Sequence, residues 1–477
     1  MQNRDRLFYQ YALMNLAVLQ ADFGCHQEAV TAMLESVATA RENRDMTCLN
    51  FALNWLFHFG RAHPTLIRNM NSNSMLGVGK ESLTFLRVKA KETGMWTLWS
   101  SVLLSEAKLG LCNGDSIASS LEAIIRATHI MVEKNMKSMF SAHSSLTMAL
   151  WDRLGLTHMT VMASEIFARC YAIYSVFDDE LKVACRRAFI SAEKGRYSAA
   201  MSQLEALDVN ALRSWKPKQY WHLYRGMIGL QRDLHQNNLA GADSLLQQLL
   251  QCKSDDVGPD YVAVVECQQI EYMMKRGNFQ LAFTKVQTKL STLRDENQDI
   301  ALRVRLLLNK ATLLDKCGRT RRGFSTALRA ANIAWQARLL SLLWQAVGML
   351  ANILIAMNEF EAASQLLVAT IPRALEGDSD GPIARLYSYL GDANMGLAGL
   401  PSSTASKRTE HLTKALTAVQ TAFDHYSDIQ DTESQCEMMA KKAMIMKISG
   451  EMDRASDYAA AYVALRVTSA SRASGVV

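Results

Sequence analysis

The sequence predicts an all-α chain of tandem antiparallel helical hairpins, and three observations carry that prediction. Apolar residues make up 49% and charged residues 21% of 477, enough to bury a large core with no stretch polar enough to force disorder. Six prolines, beside 25 methionines and abundant Ala and Leu, leave few breakers for the turn-rich layout of a β-sandwich. The third observation is a repeat: a Gly or Asn followed five residues later by a small residue. It occurs at Gly24 with Ala29, Gly155 with Thr160, Gly195 with Ala200, Asn237 with Ala242, Gly277 with Ala282, Gly318 with Gly323, Asn358 with Ala363 and Gly450 with Ala455. From Gly155 to Asn358 the steps, by subtraction, are 40, 42, 40, 41 and 40 residues. The 131 residues from Gly24 to Gly155 fit three units and the 92 from Asn358 to Gly450 fit two longer ones, giving about eleven hairpins.

The spacing has a steric cause. Gly or Asn tolerates the left-handed backbone that ends one helix, and the second helix starts two or three residues on. Seven residues before the turns stand Ala17, Met148, Ala188, Leu230, Ile270, Ala311, Ala351 and Ala443. Small residues five after the turn face that level and let the two helices approach to about 8–10 Å. Aromatic or aliphatic residues two after the turn (Tyr197, Leu239, Phe279, Phe360, Met452) would plug the gap beneath. A single core seldom outgrows ~250–300 residues, so hairpins that each pack on their neighbours suit this length. The expected architecture is a tetratricopeptide-like α-solenoid over residues 1–467, a superhelix on the order of 100 Å long.

Along the chain, the first hairpin turns at Gly24, and a polar segment from Arg68 to Gly79 joins the helices of a looser second one. The regular units follow from Gly155 to Asn358. Residues 401–409 (PSSTASKRT) read as a flexible insertion in the tenth hairpin that offers Ser402, Ser403 and Thr404 for phosphorylation, and 468–477 as a frayed tail. Pro64, Pro217, Pro259 and Pro382 fall between helices or at helix starts, where a missing N–H costs little.

Composition and motifs argue against most chemistry. Nine cysteines, an odd number with no C-x-x-C, read as reduced core thiols in a reducing compartment. No signal peptide opens the chain, and stretches such as Ala346 to Met357 are too short to cross ~30 Å of hydrocarbon and contain Asn352. A net charge of +6 is weak support for nucleic acid, and Arg319, Arg321 and Arg322 read as the solvated corner of a helix–helix turn. Gly77-Val78-Gly79-Lys80 lacks the Gly and Ser/Thr spacing of a phosphate loop. Gly377-Asp378-Ser379-Asp380-Gly381 spells a nucleophile elbow, but a helix rather than a strand precedes it. Ten histidines form no ligand cluster, and His158, His222 and His235 read as surface or interface residues. No catalytic residue, cofactor, metal or small-molecule ligand is expected.

Peptide capture is the natural alternative for such repeats. Chaperone-type members of the class hold a terminal carboxylate with a Lys ten residues and an Asn six residues before the turn. Here the first position holds Met14, Ser145, Cys185, Met227, Cys267, Leu308, Gly348 and Ala440. The second holds Val18, Ala149, Phe189, Gln231, Glu271, Thr312, Asn352 and Met444, so no Lys–Asn pair exists. The inner surface therefore reads as largely apolar and sulfur-rich, suited to burial against protein.

The first hairpin also carries a resemblance. Tyr11-Ala-Leu-Met-Asn-Leu-Ala-Val-Leu-Gln, Phe23-Gly-Cys-His-Gln-Glu-Ala-Val, Ala40-Arg-Glu-Asn-Arg-Asp and Cys48-Leu-Asn-Phe-Ala-Leu-Asn-Trp-Leu, ending near Gly60, resemble the family of subunit five of the anaphase-promoting complex. The likeness is specific over residues 8–60 and looser through about 467. It implies a non-catalytic scaffold of a nuclear and cytoplasmic ubiquitin ligase in mitotic cell-cycle control, beside platform subunits one, four and fifteen. Family members carry a further helical domain before this motif, whereas here only seven residues precede it, which implies a shortened sequence. A peptide-binding adaptor and the sensor portion of a regulatory ATPase are the alternatives.

Overall fold

The computed structural model describes residues 8–63, 66, 80–251, 259–292, 299–401 and 404–473, and among these there is no strand. The described residues form eleven hairpins. The first three pair α1 (Tyr9–Asp22) with α2 (His26–Glu42), α3 (Met46–Ala62) with α4 (Lys80–Glu92), and α5 (Trp96–Asn113) with α6 (Ile117–Glu133). Next come α7 (Phe140–Leu154) with α8 (Thr157–Ile166), α9 (Phe177–Glu193) with α10 (Tyr197–Glu205), and α11 (Trp215–His235) with α12 (Leu239–Gln251). Then follow α13 (Pro259–Lys275) with α14 (Phe279–Thr292), α15 (Ile300–Lys316) with α16 (Phe324–Gln336), and α17 (Leu340–Ala356) with α18 (Phe360–Leu375). The last two pair α19 (Asp380–Ala398) with α20 (Ala405–Asp428) and α21 (Thr432–Ser449) with α22 (Met452–Ala473).

Every turn residue of the repeat pattern is left-handed, from Gly24 at φ +80° through Asn237 and Asn358 to Gly450 at φ +87°. The residue after each turn donates its N–H five residues back, as Cys25 does to Gln20 O (2.9 Å), Arg196 to Ser191 O (3.0 Å) and Arg319 to Leu314 O (2.8 Å). These bonds satisfy carbonyls that the helix end would leave unpaired. A second set of left-handed residues closes the opposite ends of the hairpins: Arg44, Asn135, Arg338, Asp378 and Gln430.

The chain divides into two compact units, Met1–Leu146 with Ile173–Ser175 and Thr147–Ala172 with Val176–Val477. In the first, one core runs from Ala17 and Met33 through Leu53 and Leu56 to Leu83, Leu86 and Val102. In the second, successive clusters bridge neighbouring hairpins, as where Ala282 and Val286 of α14 meet Leu306 and Leu313 of α15. No described helix is long and apolar enough to cross a membrane.

Local boundaries differ from the sequence pattern in two places. Helix α20 begins at Ala405, inside the expected insertion, because the Thr404 side chain caps it by accepting from Lys407 N; Ser402 and Ser403 lie outside the described residues. Helix α22 continues to Ala473, into the expected tail. The Arg68–Gly79 segment also lies outside the described residues. Pro217 and Pro382 stand in the first turns of α11 and α19, whereas Pro372 sits inside α18, one turn from its end.

Candidate functional site

Several of the small residues of the repeat pattern are buried on both helices of their hairpins. Ala17, Ala188, Ala311 and Ala351 before the turns are buried, as are Ala29, Ala200, Ala282 and Ala363 after them. A Cβ added to Gly323 would lie 3.8 Å from Ala311 Cα, so the fifth residue after that turn faces the seventh before it. Phe360 fills the space beside α19 so closely that a Cβ on Gly396 would fall 2.2 Å from its ring. At Gly450, Ala443 and Ala455 are only partly buried and Met452 is exposed. Gly195 and Gly277 are both left-handed, yet their surroundings differ: nothing lies within 4 Å of a Cβ on Gly277, while one on Gly195 would meet Asp428 O at 2.0 Å.

That contact is one of a series in which the second unit coils back on itself. Thr157 Oγ1 donates to Gly377 O (2.7 Å), and Lys194 and His158 both pair with Asp378. Gln430 Nε2 donates to Gly195 O (3.0 Å), Gln236 Nε2 to Gln430 Oε1 (3.1 Å) and Thr432 Oγ1 to His235 O (3.2 Å). Lys275 donates to Leu234 O (2.9 Å) and faces Asp431 (3.8 Å) and Glu433 (3.5 Å). Burial pushes the Asp431 carboxyl up, but Lys275, His235 and Ser434 outweigh it and hold the group below its ordinary range. The elbow-like Gly377–Gly381 segment thus serves as a joint: a Cβ on Gly377 would sit 2.9 Å from Gly155 O.

The first helices of neighbouring hairpins are joined by polar bonds too, which corrects the apolar, sulfur-rich inner surface expected from two register positions. Arg186 pairs with Asp152 (2.7 Å), Lys441 with Asp392 (2.8 Å), and Asn352 donates to Asp315 (2.9 Å). Arg186 and Lys441 stand nine residues, and Asp152 and Asp315 three residues, before their turns, outside the two register positions compared above, whereas Asn352 occupies the second of those positions. Among the described residues no group of three or more His, Cys, Asp or Glu could hold a metal. No disulfide joins the described cysteines, and Cys25, Cys170 and Cys317 are exposed rather than core residues, Cys25 and Cys317 because they flank the bends at Gly24 and Gly318.

His425 supplies a pH-dependent bond inside the second unit. Its Nδ1 lies 3.0 Å from Asp380, and that hydrogen bond, against the opposing effect of burial, raises the imidazole above its usual value of 6.5. The stabilisation is fully present below the unfolded value and is lost as pH rises through the folded one. Asp380→Asn is expected to lower stability on the order of 1 kcal/mol at about pH 6 and far less at about pH 8, read from urea midpoints.

One apolar face of the first unit is exposed among the described residues. Five residues before their turns, Tyr272, Leu313, Ile353 and Ile445 are buried against the second helix of the preceding hairpin. The equivalent residue on α1 is Leu19, 54% exposed, flanked by exposed Leu16 and by Phe23 at 77%. Ala17 and Ala29, either side of the left-handed Gly24, are buried, whereas the sequence carries no sign of this outer face, because apolar periodicity alone does not say which of two faces has a neighbour.

Comparison with known proteins places relatives beside this geometry. The family described as "Anaphase-promoting complex subunit 5" matches residues 1–63. The fission yeast Schizosaccharomyces pombe protein of that name is 28% identical over 252 residues, 52% of this chain and 33% of the relative. The human one is 23% identical over 245 residues, 50% of this chain and 31% of the relative. The matched region thus spans about a third of the length of these curated relatives. Among solved structures, a Rap protein complexed with competence and sporulation factor superposes with a TM-score of 0.44 at 15% identity, over 61% of this chain and 77% of that one. A signal-transduction ATPase with a tetratricopeptide repeat sensor from Pyrococcus horikoshii gives 0.37 at 13%, over 91% and 71%.

Proposed function

We infer that this chain, a relative of subunit five of the anaphase-promoting complex, is a non-catalytic scaffold subunit of such an assembly and works in mitotic cell-cycle control by holding other subunits in place. The carrying observation is the exposed apolar face of α1. It lies within residues 1–63, the segment that matches the family, and offers Leu16, Leu19 and Phe23 where later hairpins are covered by a neighbouring helix. Contiguous exposed apolar side chains mark an interaction surface, so this face favours a docked helix. Neighbouring ubiquitin-ligase subunits, by resemblance the platform subunits one, four and fifteen, are the proposed partners, and the nucleus and cytoplasm the proposed location.

The test is affinity purification of the tagged protein from its native cells, with mass spectrometry of what accompanies it. The wild type should recover ubiquitin-ligase subunits. Leu19→Glu with Phe23→Glu should reduce that recovery by about 10-fold while leaving the melting temperature unchanged, since both side chains face water in the isolated chain. Recovery without any ubiquitin-ligase subunit would overturn the reading.

A further inference from the structure

Between Asp315 and Glu359 the sequence holds six basic residues, Lys316, Arg319, Arg321, Arg322, Arg329 and Arg338, and no Asp or Glu. All six are exposed, and none pairs with a carboxylate among the described residues. The three-arginine corner at the Gly318 turn is therefore one end of a cationic hairpin. Its second helix, α16, adds Phe324, Leu328 and Trp335, each exposed. At about 100° per residue these three fall within a sector of about 40°, and the exposed Arg329 lies about 100° beyond Leu328. Arg338 stacks 4.4 Å from the Trp335 ring, which holds the indole in place at the surface. Ala327, Ala330 and Ala334, centred about 110° round α16 from that stripe, are buried in the array.

An exposed Trp and Phe on one turn-spaced stripe, bordered by unpaired arginines, combines the residue types that dominate protein interfaces. We propose that this face of α16 is a docking surface for an acidic amphipathic helix of a partner protein, whose apolar side covers Phe324, Leu328 and Trp335 and whose carboxylates meet Arg321, Arg322 and Arg329. Charge complementarity selects the partner: a stretch with no acid of its own gains by pairing with carboxylates, and each guanidinium fork donates to two carboxylate oxygens at a time. The apolar stripe favours a protein helix over a bare polyanion. This surface lies in the second unit, away in sequence from Leu19, and stands whether or not the α1 face docks as inferred above.

The experiment titrates the full chain by fluorescence anisotropy with three probes: an ~18-residue synthetic helix with Glu on one face and Leu and Trp on the other, a scrambled peptide of equal composition, and a single-stranded oligonucleotide of equal charge. The amphipathic peptide should bind at least about 10-fold more tightly than the other two, and less tightly as salt is raised. Arg321→Glu with Arg329→Glu, and separately Trp335→Ala or Leu328→Ser, should each weaken it by about 10-fold with unchanged thermal melts. Equal binding of the scrambled peptide or the oligonucleotide, no saturable binding below about 1 mM, or indifference to both Trp335→Ala and Leu328→Ser would overturn the proposal.

Discussion

Gly195→Ala is expected to destabilise the second unit by about 3 kcal/mol, whereas Gly277→Ala costs about 1 kcal/mol. Both residues end a first helix in the left-handed conformation, at φ +73° and +84°, so the backbone strain of an added Cβ is shared. The difference lies in what waits beside each. On Gly195 the new methyl would overlap Asp428 O at 2.0 Å and Ile429 Cα at 2.7 Å, backbone atoms that cannot rotate aside. Relief requires the Asp428–Asp431 turn to withdraw, and the Gln430 bond to Gly195 O (3.0 Å) goes with it. Urea unfolding followed by hydrogen exchange should show early opening confined to hairpins of the second unit. Equal effects of the two substitutions would remove the turn-to-turn contact from the account.

Ala200→Leu is the second large effect, with an expected loss of about 3 kcal/mol against about 0.5 kcal/mol or less for Ala199→Leu. The two alanines are neighbours on α10 with opposite outlooks. Ala200 is fully buried in a cluster with Ala188, Ala192 and Leu204, where the hairpin's helices cross, and Ala199 is exposed. Three extra heavy atoms at Ala200 force the helices apart at a level set by alanines on both sides. Thermal unfolding of the pair of variants reads the difference directly, and a tolerated Ala200→Leu would mean that the crossing is looser than the structure shows.

The hairpins were legible because their turns use Gly or Asn, the residues that accept a left-handed backbone most easily, and because Ala or Gly recurs at the crossing. The opposite turns escaped the same search: Arg44, Arg338 and Gln430 adopt that conformation without belonging to the residue types that announce it. The closure of the second unit was not legible either. It rests on single polar bonds between residues such as Gly195 and Gln430 or Thr157 and Gly377, remote in sequence and carrying no periodic signature. Arg319, Arg321 and Arg322 were visible as a cluster. Their continuation into a cationic, apolar-striped face needed the phase of α16, which only the buried Ala327, Ala330 and Ala334 fix.

A scaffold of the kind proposed must keep its own hairpins in place, and the pair Lys194 and Asp378 reports on that most directly. Their side chains are in salt-bridge contact although 184 residues separate them in sequence. Zero-length carbodiimide cross-linking of the native protein, followed by peptide mass spectrometry, should join the Lys194 amine to the Asp378 carboxylate, and Asp378→Asn should abolish the product. Absence of that link, while the neighbouring Lys441–Asp392 pair (2.8 Å) still cross-links, would contradict a second unit that coils back on itself.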